Sequence, residues 1–263
     1  MHPLITLTTD FGGSDEFVGV MKGVIYSLCP AAVIVDLCHG VRPQDIRQAA
    51  LILASSYRFF PKGSIHVVVV DPGVGTSRRI VLLQADDHLF LLPDNGAATL
   101  LPPLRRAYEV TQEQLFLSPV SRTFHGRDIL APVAAHLARG LLPEQTGCRI
   151  DPESLARLPL PPLQKGKNRL RGAVIDIDHF GNLMTNIDRP TVEKTFLAAD
   201  LPNITVTIGG RFLPGISSSY GSVPPGQPVA LFNSRDYLEI SINHGNCAHE
   251  LQVTLDSIVC LSI

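Results

Sequence analysis

The sequence predicts an α/β N-terminal domain with a mainly parallel sheet, followed by a smaller, mainly antiparallel, β-barrel-like C-terminal domain. Three observations carry that expectation. Residues 64–71, SIHVVVVD, show no polar alternation, as in a strand covered on both faces. Strand and helix periodicities alternate through the first half of the chain. After about residue 172 only short β-prone runs remain, punctuated by Gly, Pro and Asn.

PLITLTTD, residues 3–10, reads as the first strand and ends at Asp10. From about Ser14 the residues Phe17, Val20, Met21, Val24, Ile25 and Leu28 recur at helical spacing, with Ser14 or Asp15 placed to cap. AAVIVDL is the second strand. An amphipathic helix through Ile46, Ala49, Ala50 and Leu53 follows and must stop before Pro61. With SIHVVVVD third, strand–helix–strand–helix–strand implies right-handed crossovers. RIVLLQ and HLFLLP, separated by Ala85-Asp86-Asp87, form a hairpin or local meander. TFHGRDILAPVAAHLARG opens a helix near Gly126, with Pro132 in the first turns, where a missing amide proton is tolerated.

Four prolines and five basic residues between Asp151 and Gly172 mark a linker. The expected division is a catalytic domain over 1–155, a linker over 156–171 and a β-rich domain over 172–263. Its strands are GAVIDID, NITVTIGG, PVALFN, YLEISIN and the closing LQVTLDSIVCLSI. The sequence contains no internal repeat and no low-complexity tract.

Composition narrows the function. A chain of 263 residues with 45% hydrophobic content can bury one large core or two smaller ones. A formal net charge of −2 gives no footprint for nucleic acid or an anionic membrane, which select clustered Lys and Arg. A small-molecule ligand is the better expectation. Five cysteines are scattered, odd in number and without a C-x-x-C pair, which argues for reduced thiols and against a disulfide framework. No signal-type segment opens the chain and no apolar run reaches about 18 residues, so the expected location is cytoplasmic.

The stretch VVVVDPGVGTSRR, residues 67–79, joins an apolar strand to a carboxylate, a glycine loop and two arginines. It lacks the Lys of a P-loop and the three-glycine spacing of a dinucleotide fingerprint, and it leads into a strand rather than a helix. A surface ion pair between Asp71 and Arg78 is the plain alternative. Position favours function, because ligands of open α/β sheets sit outside the carboxyl ends of the strands, where Asp10 and Asp71 both lie. His125, before a helix and beside a glycine that would admit a ligand, joins them as a candidate. The Asp176-x-Asp178-His179 and His244…His249-Glu250 clusters lack H-E-x-x-H spacing, so no metal is expected. In DIDHFGNLMTNI, Asp178 and Asn182 could recognise an amino-acid head group or merely stabilise an Asx turn. Ser234 and Arg235 sit in another loop open to either reading.

Together, TTDFG, VVDPGVGTSRR, PDNG, TFHGRD, IDHFGNLMTNI and NSRDYLEISINHGNCA span nearly the whole chain. In this order they resemble the S-adenosyl-L-methionine hydrolases, or SAM hydroxide adenosyltransferases, which are related to fluorinating and chlorinating enzymes. The resemblance implies hydrolysis of S-adenosyl-L-methionine to adenosine and L-methionine. It also implies a homotrimer whose active sites lie between one subunit's N-terminal domain and its neighbour's C-terminal domain. It carries a catalytic Asp–Arg–His set onto Asp71, Arg78 and His125, with Arg79 the adjacent competitor for the arginine role. Asp10 falls at the ribose-binding aspartate. Asp178, Asn182, Ser234 and Arg235 match the methionine end, Tyr220 an aromatic stacked on adenine, and Asn246 and Ala248 the loop around the base.

The residues suit that chemistry. A sulfonium is already a good leaving group, so the enzyme must align a nucleophile with the ribose 5′ carbon and exclude bulk water, with no cofactor. Hydroxide meeting a sulfonium loses charge in the transition state, which a desolvated pocket favours. Arg78 would make water easier to ionise, while Asp71 and His125 orient it or relay its proton. Halide-dependent adenosyl transfer is the alternative within the family, but an anionic Asp71 repels halide. A silent S-adenosylmethionine or adenosine sensor is the alternative from another class. Gln44 stands where the halogenating relatives carry a bulky aromatic.

Overall fold

The computed structural model describes residues 4–263 and divides into two compact units, Met1–Leu158 and Pro159–Ile263. The first unit holds strands β1 (Leu4–Thr9), β2 (Val33–Cys38), β3 (Ile65–Val69), β4 (Ile80–Ala85), β5 (His88–Pro93), β6 (Arg106–Glu109) and β7 (Arg149–Ile150) in one sheet. Their order is β2-β1-β3-β5-β4-β6-β7. β1 runs parallel to β2 and β3, and β3 parallel to β5. From β5 outward the pairs are antiparallel. The change has a local cause: Asp86 and Asp87 adopt left-handed backbone (φ 48° and 63°), the turn chemistry of a tight hairpin, and a two-residue link can join only antiparallel strands.

Helices α1 (Phe17–Leu28), α2 (Ile46–Ser56) and α3 (Ala131–Ala138) cover the sheet. Met21 and Ile25 of α1 and Val133 of α3 pack with Ile5, Leu7, Val67 and Val69 on one face. Ala49 and Leu53 of α2 pack with Val68, Val70, Leu83 and Phe90 on the other. Every residue of β3 is buried, His66 included, as its lack of polar alternation implies. Each such Val or Leu contributes roughly 1.5–3 kcal/mol by leaving water. One detail differs from the sequence expectation. Helix α1 starts at Phe17, so neither Ser14 nor Asp15 caps it, and Glu16 at the cap makes no side-chain cap bond. Pro3, expected in the first strand, lies outside the described residues.

The second unit is an eight-stranded antiparallel sheet of β8 (Gln164–Gly166), β9 (Arg169–Ile177), β10 (Leu183–Asp188), β11 (Thr205–Ile208), β12 (Arg211–Pro214), β13 (Pro228–Phe232), β14 (Tyr237–Ile242) and β15 (Ile258–Ser262). Helices α4 (Arg189–Thr195) and α5 (Cys247–Leu251) complete it. Asp188 caps α4, accepting from the Thr191 amide at 2.6 Å. Its core gathers Leu170, Val174, Leu183, Val206, Leu238, Ile240 and Val259. Within the expected linker, Gln164–Gly166 pair with β9, and Asn186 Nδ2 donates to the Pro161 carbonyl. No helix among the described residues is long and apolar enough to cross a membrane.

Candidate active site

The loop after β3 folds Asp71 and Arg78 onto each other. Arg78 Nε donates to both Asp71 carboxylate oxygens at 2.9 Å, and its Nη2 donates to Asp71 Oδ2 as well. Their side chains are only 5% and 11% exposed, so this is not the surface ion pair that sequence left open. The same Nη2 lies 2.7 Å from His125 Nδ1. A guanidinium can only donate, so Nδ1 accepts and the imidazole is neutral, with its proton on Nε2. Burial, and then the Arg78 charge, lower the His125 pKa from its usual 6.5.

Two local devices bring these groups together. Gly75 has a left-handed backbone (φ 77°), and a Cβ there would run into the Arg122 carbonyl, so the glycine lets the 71–78 loop lie against the segment leading to His125. His125 in turn stands immediately before a π-helical turn, Gly126–Leu130, that leads into α3. Gly126 has a different use from the one expected: a Cβ there would meet Val69, Met21 and Phe124, so it serves packing, not ligand approach. Asp128, almost fully buried, accepts from the Ser121 amide at 2.8 Å and pairs with Arg127, fixing the loop before His125.

Arg79, the competing arginine, is committed elsewhere. Its Nε and Nη2 bind Asp94 Oδ2 at 2.9 and 2.5 Å, and Nη2 donates to the Ser154 carbonyl. The PDNG turn is therefore an anchor, reinforced by Asn95 Nδ2 donating to the Val70 carbonyl. Asp10 follows β1 and accepts the Gln44 backbone N–H at 2.8 Å. Gln44 is left-handed (φ 65°) without being glycine, a conformation that costs energy and turns that N–H toward the carboxylate. No hydrogen bond joins Asp10 to the trio. Nearby in the chain, Phe11, Phe17 and Phe124 meet ring to ring at 5.2–5.8 Å.

In the second unit, a cavity of about 410 Å³ is lined by Asp176, Asp178, Asn182, Tyr220, Ser234, Arg235 and Glu239, among others. A second, of about 700 Å³, shares Asp178, Asn182 and Tyr220 with it and adds Phe180, Ile242 and Asn246. Asp178 forms an Asx turn: Oδ1 accepts from the Phe180 and Asn182 amides, and Oδ2 from Asn182 Nδ2. The Asx turn is therefore present, and both residues also line the two cavities. Arg235 Nη1 lies 4.0 Å from Asp176 Oδ2. Asn246 caps α5 through the His249 amide, and the Ala248 N–H donates to the Gly181 carbonyl, tying two loops together. Among the described residues no three His, Cys, Asp or Glu side chains converge to hold a metal ion.

Sequence reasoning missed Glu239. In YLEISIN, Tyr237, Glu239 and Ser241 alternate with Leu238, Ile240 and Ile242, which reads as a wet face opposite a dry one. The structure buries both faces.

Comparison with known proteins adds independent findings. Residues 5–147 match the family described as the SAM hydroxide adenosyltransferase N-terminal domain, and residues 172–260 match its C-terminal domain. The chain is 40% identical to the (R)-S-adenosyl-L-methionine hydrolase of Thermus thermophilus, covering 95% of this chain and 96% of that one. It is 28% identical to a fluorinase of an Actinoplanes species, covering 94% and 93%. A crystal structure of an uncharacterized conserved protein from Thermotoga maritima superposes with a TM-score of 0.91 at 32% identity, covering 98% of this chain and all of that one. With both domains matched in order, and with full-length relatives well above the threshold of chance, the chain belongs to the SAM hydroxide adenosyltransferase family.

Proposed function

We propose that the protein hydrolyses S-adenosyl-L-methionine to adenosine and L-methionine. The observation that carries this reading is the part-buried Asp71–Arg78–His125 cluster, with its neutral imidazole. In the reaction a water oxygen bonds to the ribose 5′ carbon as the carbon–sulfur bond breaks. The electron pair goes to sulfur, so methionine leaves as a neutral thioether and no further group is required. Arg78 supplies the positive charge that eases loss of the water's proton. His125, with Nδ1 held by Arg78, offers Nε2–H to orient the water. Asp71, held by Arg78, orients the water and the arginine and relays the released proton to solvent. Desolvation favours this step because opposite charges merge.

In the second unit Asp178, Asn182, Ser234 and Arg235 would hold the methionine end, and Tyr220, Asn246 and Ala248 the base, while Asp10 would take the ribose hydroxyls. The two cavities meeting at Asp178, Asn182 and Tyr220 support a ligand with a polar and a planar end. The assembly we infer is a cytoplasmic homotrimer with active sites at subunit interfaces. Halide transfer is disfavoured by the carboxylate of Asp71 in the cluster. The test is chromatography after incubation with S-adenosyl-L-methionine, with and without chloride. Wild type should release adenosine and methionine in both, and Asp71→Asn should slow release at least about 100-fold. A chlorinated nucleoside, or Asp71→Asn turning over like wild type, would refute the reading.

A further inference from the structure

Glu239 is buried, only 6% exposed, yet its three partners are all neutral. Oε1 accepts from Tyr220 Oη at 2.7 Å and Ser241 Oγ at 2.9 Å, and Oε2 from Asn233 Nδ2 at 3.1 Å. A carboxylate taken out of water without a cation is costly, so a purely structural strand would be better served by an apolar residue. Tyr220 explains its presence. The residue is 44% exposed, but its hydroxyl is tied down to the strand below. Burial and the Glu239 carboxylate push the phenol pKa up, so the hydroxyl remains a donor at any physiological pH. The ring is therefore held by one end, at the junction shared by the polar and the wider cavity. Asn233 extends the arrangement: while Nδ2 binds Glu239, its Oδ1 accepts from the Arg235 and Tyr237 amides, shaping the loop that carries Arg235.

We infer that Glu239 is a positioning residue that fixes the Tyr220 ring and the Arg235 loop at once, setting the two cavities at the spacing one nucleoside–amino-acid ligand requires. The inference rests on the proposed hydrolase reading. It predicts loss of ligand affinity with little loss of chemistry, because Glu239 acts through groups that bind and not through those that react.

The experiment uses the full-length protein, comparing wild type with Tyr220→Phe, Glu239→Gln and the double variant. KM and kcat are measured with S-adenosyl-L-methionine, and adenosine binding by calorimetry. Each single variant should raise KM and the adenosine Kd about tenfold, as expected for one hydrogen bond to a charged group, with kcat within about threefold of wild type. The double variant should be no worse than Glu239→Gln alone, since the Tyr220 bond is common to both substitutions. Additive effects, an unchanged KM and Kd in Tyr220→Phe, or a fall in kcat at constant KM would overturn the inference. Should Glu239→Gln fail to fold, Tyr220→Phe, which leaves the carboxylate in place, decides alone. A wild type that binds adenosine but releases no product would sink the hydrolase reading while leaving the calorimetric comparison to decide the role of Glu239.

Discussion

Arg78 binds a carboxylate through Nε and Nη2 and an imidazole through that same Nη2, and the second contact decides how His125 can act. With Nδ1 accepting from Arg78, the ring works only when neutral; a second proton would place two cations against each other. Because burial and Arg78 depress its pKa, the neutral form persists below the usual 6.5. A profile of kcat/KM against pH should therefore be flat down to about pH 6.5 and fall only on the acid side of it. His125→Ala should be slow and should lose that acid limb; an acid limb retained in the variant would assign it to another group. Sequence carried the identity of these three side chains through the motifs. Spacing from Asp71 favoured Arg78 over Arg79, but the contact that commits Arg79 elsewhere, to Asp94 after a neighbouring strand, was visible only in three dimensions.

Among the elements, the glycine loop was read in sequence as unsuited to phosphate, and its actual use became visible only in three dimensions. Gly75 is required because the Arg122 carbonyl occupies the space a side chain would fill. Gly75→Ala combines that collision with a left-handed backbone, and should cost about 1–3 kcal/mol of stability. It should also lower kcat more than it raises KM, since it separates Arg78 from His125 and Gly75 lines neither of the cavities proposed to bind substrate. Thermal melting with steady-state kinetics checks both; a variant with unchanged kcat would mean the loop contact does not govern the cluster. Strands were legible where burial is two-sided, as in β3, or where turn residues bracket them, as in β4 and β5. Helix α1 was legible but not its start, because Phe17 begins it without a side-chain cap. Glu239 was illegible, since alternation in β14 looks the same whether its polar face meets water or a tyrosine and an asparagine.

At the scale of the molecule, the first unit carries the Asp71–Arg78–His125 cluster and, near the other end of β3, a buried imidazole pair. His66 Nδ1 lies 2.8 Å from Thr6 Oγ1 and its Nε2 lies 3.1 Å from His88 Nδ1. Burial, then the neighbouring His88, hold the His66 pKa down at about 3. The unfolded chain binds that proton near 6.5, so this contribution to stability is complete above pH 6.5 and is lost as pH falls toward 3, by roughly 1.4 kcal/mol per unit at most. Urea unfolding at pH 7 and pH 5 should show a steeper loss in wild type than in His66→Gln. Equal losses would move the acid sensitivity elsewhere.

The direct test of the whole proposal is to run the reaction in water enriched in oxygen-18 and weigh the products. If Asp71, Arg78 and His125 deliver a water to the 5′ carbon, adenosine acquires one heavy oxygen on its 5′ hydroxyl and methionine acquires none. Unlabelled adenosine, or label found in methionine instead, would contradict attack by water at that carbon.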